Sequence, residues 1–119
     1  MKLIYLASPF THSSKRVMQK RRKQIDLIGA KLQYTHRVAI FPPITISDTY
    51  AKLLPGKFEH KFEAWANIDL YTISKCDEVW VCTMDGWKES VGVQAEIALA
   101  KARKIKVRYI DPKTTRFIK

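Results

Sequence analysis

Residues 78–110 read EVWVCTMDGWKESVGVQAEIALAKARKIKVRYI. The opening EVWVCT is β-branched, aromatic or apolar throughout and predicts a strand over 78–83. MDGWKE, 84–89, supplies a turn around Gly86. Ser90 stands where a helix cap belongs, and Val93, Ile97 and Ala100 share one face of a helix over 90–104. KVRYI predicts another strand over 106–110. Strand, helix and strand in this succession are the unit of a parallel sheet, whose crossovers are right-handed.

The same alternation runs back to the start of the chain. KLIYLA, 2–7, is a short apolar strand ended by Ser8-Pro9. Thr11, Ser13 and Ser14 are each able to cap the next segment, where Val17, Ile25, Ile28 and Leu32 predict a helix over 15–33. VAIF, 38–41, is a second strand, closed by Pro42-Pro43. Residues 45–57 are polar and broken by Pro55-Gly56; they read as a loop with at most one helical turn. Phe62, Trp65, Ile68 and Ile73 give residues 58–75 helical spacing. Asp111-Pro112 ends the last strand, and 113–119 is a basic tail to which the sequence assigns no structure. The expectation is an α/β three-layer sandwich, flavodoxin- or Rossmann-like, with a mostly parallel sheet of four to five strands. Residues 1–112 form the single domain and 113–119 its tail.

A chain of 119 residues suits one domain. Its 46% hydrophobic and 28% charged content excludes disordered, collagen-like and coiled-coil classes. No apolar run approaches the ~20 residues of a membrane span. No signal peptide is visible, so the expected location is cytoplasmic. Cys76 and Cys82 lie outside any metal-ligand pattern and read as buried free thiols; no metal or cofactor is expected. Net charge is +11, and it is unevenly spread. Residues 1–47 carry +8, 48–96 carry −4, and 97–119 carry +7. Basic flanks attract anions such as phosphates, or simply form a solvated surface. No nucleic-acid-binding motif accompanies them.

In open parallel sheets ligands bind beyond the carboxyl ends of the strands. That rule selects 7–12, 41–45 and 83–90 as site segments. At 90–96, Ser90 caps a helix whose first turn contains Gly92, and free N–H groups there suit a phosphate or carboxylate. An ordinary capped helix has the same pattern. Glu96 sits between Ala95 and Ile97, an odd setting for a carboxylate unless it has a partner. It is either a nucleophile or general base at a cleft rim, or a helix-surface acid paired with a cation such as Lys101. Asp69 has a similar setting inside the apolar run 65–70. Two such carboxylates could divide nucleophilic and acid–base work at a glycosidic bond. Asp77 reads as structural. Tyr5 could reach a carboxylate or could serve the core alone. Ser8, His12 and Arg16 could contact a phosphate or sugar. Trp87 could stack on a base or cover the core edge. The sequence has no GxGxxG, Walker, GxSxG or HExxH pattern.

Taken together, IYLASPFTH (4–12), FPPI (41–44), Trp65 and Asp69, CDEVWV (76–81) and GWKESVGVQAE (86–96) resemble the nucleoside 2-deoxyribosyltransferase-like superfamily. They are most similar to a phage and bacterial branch grouped as a domain of unknown function. The resemblance covers about residues 2–110. It implies cleavage or transfer of the N-glycosidic bond of a nucleoside or nucleotide, without cofactor. It places Glu96 as the nucleophile, Tyr5 as the residue positioning it, and Asp69 at the leaving base. Ser90, where free-nucleoside transferases carry aspartate, implies a 5′-phosphate, with Gly92 and Ser8 as further contacts. His12 and Trp87 complete the expected substrate contacts. A homodimer or larger homo-oligomer is also implied. The sequence departs from the nucleotide-hydrolysing relatives at 8–12, which lacks their glycine- and arginine-rich loop, and at Gln94-Ala95. The rival readings are a non-catalytic nucleotide-binding or sensing module, and an accessory protein holding nucleic acid through its basic flanks.

Overall fold

The computed structural model describes residues 1–58 and 62–119, and all of their side chains except those of 62–64. The elements are β1 (Leu3–Ala7), α1 (Lys15–His36), β2 (Ala39–Phe41), α2 (Pro43–Leu53), α3 (Phe62–Lys75), β3 (Glu78–Cys82), α4 (Val91–Ala102), β4 (Lys106–Ile110) and β5 (Phe117–Ile118). They build one sheet in the order β2-β1-β3-β4-β5. The first four strands are parallel, and β5 runs antiparallel to β4. This is the α/β sandwich expected from the alternation of strands and helices.

Strand alternation divides the core into two layers. Ile4, Leu6, Trp80 and Cys82 pack with Ile25, Ile28 and Leu32 of α1. Tyr5, Ala7, Val79 and Val81 face the opposite way, against Ile73 of α3 and Val93, Ile97 and Ala100 of α4. β3 is buried along its whole length, which explains why its sequence is the most uniformly apolar. Both cysteines are free and buried, and burial pushes their thiols up to about 11 for Cys76 and about 12 for Cys82. Among the described residues no helix is long and apolar enough to cross a membrane.

The helix caps follow the sequence. Ser14 Oγ accepts from Val17 N at 3.3 Å, and Ser90 Oγ from Val93 N at 3.2 Å. α1 runs three residues past the expected end at 33, because Arg37 adopts a left-handed φ of 52° and returns its N–H to Gln33. The third helix, expected over 58–75, is seen over Phe62–Lys75; Phe58 lies in a bend, and 59–61 fall outside the described residues.

Residues 45–57 depart from the expected loop. Residues 43–53 form a helix, with Pro43 at its start, where a proline's fixed φ is already helical. Local propensity is poor for PITISDTYAKL, and the missing stabilisation is tertiary. Asp48 is fully buried and receives Arg22 Nη1 at 2.7 Å and Lys52 Nζ at 2.9 Å. Burial alone would raise the Asp48 carboxyl; hydrogen bonds from Lys52 and Arg22 outweigh it and hold the group below its usual range. The tail also gains structure. Asp111 Oδ1 accepts from Lys113 N at 2.8 Å, turning the chain so that Phe117 meets Trp80 edge-on at 4.9 Å.

Candidate active site

The carboxyl ends of β1 and β3 open onto a cavity of about 510 Å³. Its wall takes Ser8, Phe10 and Thr11 from the loop after β1, Ile44 and Ser47 from α2, and Trp65 and Asp69 from α3. Glu89 to Val93 and Glu96 close the far side. Each of the three segments selected from strand topology contributes. Arg21 ties two of the loops together: Nη1 donates to the carbonyls of Phe10 and Thr11, and Nη2 to that of Asp85, at 3.1–3.3 Å. Gly86 makes this possible. Its φ is 90°, and a Cβ there would stand 2.5 Å from the Arg21 guanidinium.

Glu96 is one turn and a half inside α4, on the face turned to the sheet, and is buried. Its Oε2 accepts from the Tyr5 hydroxyl, which reaches it from the middle of β1. The partner is therefore Tyr5 rather than the cation Lys101. Burial pushes the Glu96 carboxyl up to about 8; the Tyr5 hydrogen bond opposes this, and nearby Asp69 adds to it. Asp69 is also buried, which pushes its carboxyl up to about 6, with the Tyr5 hydroxyl opposing. Tyr5 itself is driven well above its ordinary value by burial and by the two carboxylates it faces. Two acids and one phenol thus form a coupled group on the cavity wall. Near neutral pH it keeps about one proton for two carboxyls.

Ser8 is buried and lines the cavity, and its Oγ has no hydrogen-bond partner among the described residues. Trp65, buried on the same wall, stacks on Phe58 at 4.9 Å, and its Nε1 has no partner among the described residues. Ser90 and Gly92 line the cavity at the start of α4, where the first N–H groups of a helix lack partners within it. His12 and Trp87 stand outside the wall. His12 Nδ1 accepts from Ser14 N at 2.9 Å, on the exposed turn before α1. Trp87 leans on Tyr109 at 5.6 Å and covers the edge of the second core layer. Arg16 is exposed and also outside the wall. Asp77 Oδ2 accepts from Leu3 N at 2.7 Å, a role in joining β1 to the chain entering β3. Among the described residues, no three of His, Cys, Asp or Glu are grouped to hold a metal ion.

Sequence reasoning did not single out Phe10, Ile44, Ser47, Trp65 or Glu89 as wall residues. Trp65 stands four residues before Asp69 and so shares its helix face. Phe10, Ile44 and Glu89 lie within the three selected segments. Only Ser47 had no signal, because the helix carrying it was not foreseen.

Tyr5→Phe should leave the ring's packing intact and remove the hydroxyl that favours ionised Glu96. Glu96 should then titrate higher still. Any Glu96-dependent turnover should fall by about 10–100-fold at pH 7, with its acid limb moved toward higher pH. A pH–rate profile of the variant checks this.

The 2-deoxyribosyltransferase from the psychrotolerant bacterium Bacillus psychrosaccharolyticus has a similar structure. The TM-score is 0.59 at 22% identity, over 98% of this chain and 77% of that one. The protein is thus an α/β sandwich of the deoxyribosyltransferase fold with a two-carboxylate pocket at the strand ends. More particularly, the chain belongs to the family described as domain of unknown function DUF1937, whose model matches residues 2–111. No curated protein matches the sequence.

Proposed function

We propose that the protein cleaves or exchanges the N-glycosidic bond of a nucleoside or nucleoside 5′-monophosphate, with Glu96 as nucleophile. One observation carries the reading: a buried carboxylate, oriented by a buried tyrosine, faces a nucleoside-sized cavity beside a second carboxylate. The similar structure is that of an enzyme described as a biocatalyst for nucleoside synthesis, which supports the same class of chemistry.

Glu96 would attack C1′ and form a glycosyl ester as the C1′–N bond breaks. The proton kept by the carboxyl pair, which rests mainly on Glu96 in the free protein, would shift to Asp69 as Glu96 attacks and pass from there to the departing base. Water would then resolve the ester in a hydrolase, and a second base would do so in a transferase. The Ser8 hydroxyl and the open N–H groups at Ser90–Gly92 suit the oxygens of a 5′-hydroxyl or 5′-phosphate. Tyr50, Leu53 and Leu54 at the end of α2, and Ile68 and Tyr71 on α3, are exposed apolar side chains of the kind a homodimer or larger assembly would cover.

The test is a panel of ribo- and deoxyribonucleosides and their 5′-monophosphates, with free base followed by chromatography and Glu96→Ala run alongside. Base release by the wild type and its loss in the variant are expected. Ligand binding without release from any member would instead indicate a nucleotide-binding module. For neutral bases the pH profile should be bell-shaped. Release should fall below about 6, where both carboxyls are protonated, and above about 8, where neither is.

A further inference from the structure

Among the described residues, the cavity wall differs in sign of charge from the chain. The protein carries +11, yet the described residues of the wall hold three carboxyl groups, Asp69, Glu89 and Glu96, of which the Asp69–Glu96 pair keeps about one proton near neutral pH. Among the described residues lining it there is no lysine, arginine or histidine. Phe10 and Trp65 add two aromatic rings to the wall, that of Trp65 stacked on Phe58 at 4.9 Å. Two buried polar groups on the same wall, Ser8 Oγ and Trp65 Nε1, have no hydrogen-bond partner among the described residues. The Trp65 indole can only donate, so it calls for an acceptor on the ligand. A buried donor left unpaired is costly, so a ligand acceptor that fills this place gains accordingly.

We infer that the preferred substrate is a nucleoside whose base is cationic and carries a carbonyl oxygen, such as a pyridinium carboxamide or an N-alkylated oxopurine riboside. The inference rests on the glycosidic reading above and adds the identity of the leaving group. The cationic ring lies among the carboxylates, and its carbonyl accepts from Trp65 Nε1 at the edge of the indole. An Oε lone pair of Glu96 forms the new bond to C1′. The C1′–N bond breaks, and its electron pair cancels the positive charge on the ring nitrogen. The base departs neutral, so no proton is required. Water then attacks C1′, its proton passes to the carboxyl pair, and Glu96 is released as a carboxylate.

Binding and turnover separate this preference from the greater intrinsic lability of cationic glycosides. Binding is measured with two ligands that have no bond to cleave, the N1-methylnicotinamide cation and neutral nicotinamide. The cation is expected to bind at least about tenfold more tightly at pH 7.5, a ratio reduced several-fold by Asp69→Asn and by Glu89→Gln. Turnover is compared between the nicotinamide riboside cation, which has no ring proton to lose, and guanosine. The alkaline limb of the pH profile should be present for guanosine and absent for the pyridinium riboside, because only the neutral base needs a proton. Equal or weaker binding of the cation, or an unchanged ratio in both variants, would overturn the inference. If neutral nucleosides were cleaved through Glu96 without preference for the cation, the inference alone would fail. If the cation bound preferentially but no glycoside were cleaved, the charge preference would stand and the glycosidic reading would fall.

Discussion

Glu96→Gln is expected to lose at least about 1000-fold in base release while making the protein more stable. Glutamine has nearly the same shape and keeps an oxygen for the Tyr5 hydroxyl, but it is not a nucleophile. The stability gain follows from linkage. Glu96 titrates at about 8 in the fold against 4.5 for an ordinary glutamate, so the folded chain binds the proton more tightly. The associated stability is complete below about 4.5 and is lost as pH rises through 8. At pH 7.5 the native carboxyl therefore costs about 2–4 kcal/mol relative to acid, at about 1.4 kcal/mol per pH unit. Glutamine removes that dependence. The variant should melt about 10 °C higher at pH 7.5 and show almost no difference at pH 4.5. Paired thermal melts at the two pH values, with chromatography of free base, check both halves. A variant equally stable at both pH values but less stable than wild type would mean that Glu96 holds the fold together rather than being strained within it.

Arg22→Ala should destabilise the fold by about 3 kcal/mol. Arg22 joins α1 to α2: Nε reaches Asp26 at 3.0 Å, Nη1 reaches Asp48 at 2.7 Å, and Nη2 reaches Thr49 at 3.2 Å. Asp48 is fully buried, so removing the guanidinium leaves a buried carboxylate supported only in part, by Lys52. The damage extends to the cavity, because α2 carries Ile44 and Ser47 into its wall. Urea unfolding should show the lower midpoint, and ligand affinity should fall with it. A double variant, Arg22→Met with Asp48→Leu, should be less destabilised than Arg22→Ala alone, since it leaves no lone charge. If Arg22→Ala melted like wild type, the ion pair would not be what holds α2 in place.

That same helix marks the limit of what the sequence disclosed. β1, β3 and α4 were legible because short apolar runs and a 3.6-residue period encode burial directly. α2 was not. The inward face of PITISDTYAKL carries Pro43, Ser47, Asp48 and Ala51, small or polar residues that do not signal burial, and the helix leans on Arg22, more than twenty residues away. β5 depends similarly on contacts of Phe117 with Trp80 and Arg108. At the site, Glu96 and Asp69 stood out because an acid amid apolar neighbours demands a partner. Tyr5 was ambiguous until its hydroxyl was seen to meet Glu96. His12 and Trp87 were proposed from residue type alone. Their places outside the wall follow from local packing, His12 serving the turn before α1 and Trp87 the core edge. The acidity of the cavity was hidden by the chain's overall basic charge, because the three carboxylates come from separate parts of two helices and a loop.

The most direct test of the central claim is to trap the glycosyl ester. A nucleoside bearing fluorine at C2′ in the arabino configuration slows both steps through an electron-poor C1′ and lets the intermediate accumulate. After incubation, intact-mass spectrometry should show the protein heavier by one fluorinated sugar, with release of one equivalent of base. Peptide mapping should place the added mass on Glu96, and Glu96→Gln should stay unmodified. Base release with no added mass, or with the sugar on another residue, would contradict the assignment of Glu96 as nucleophile.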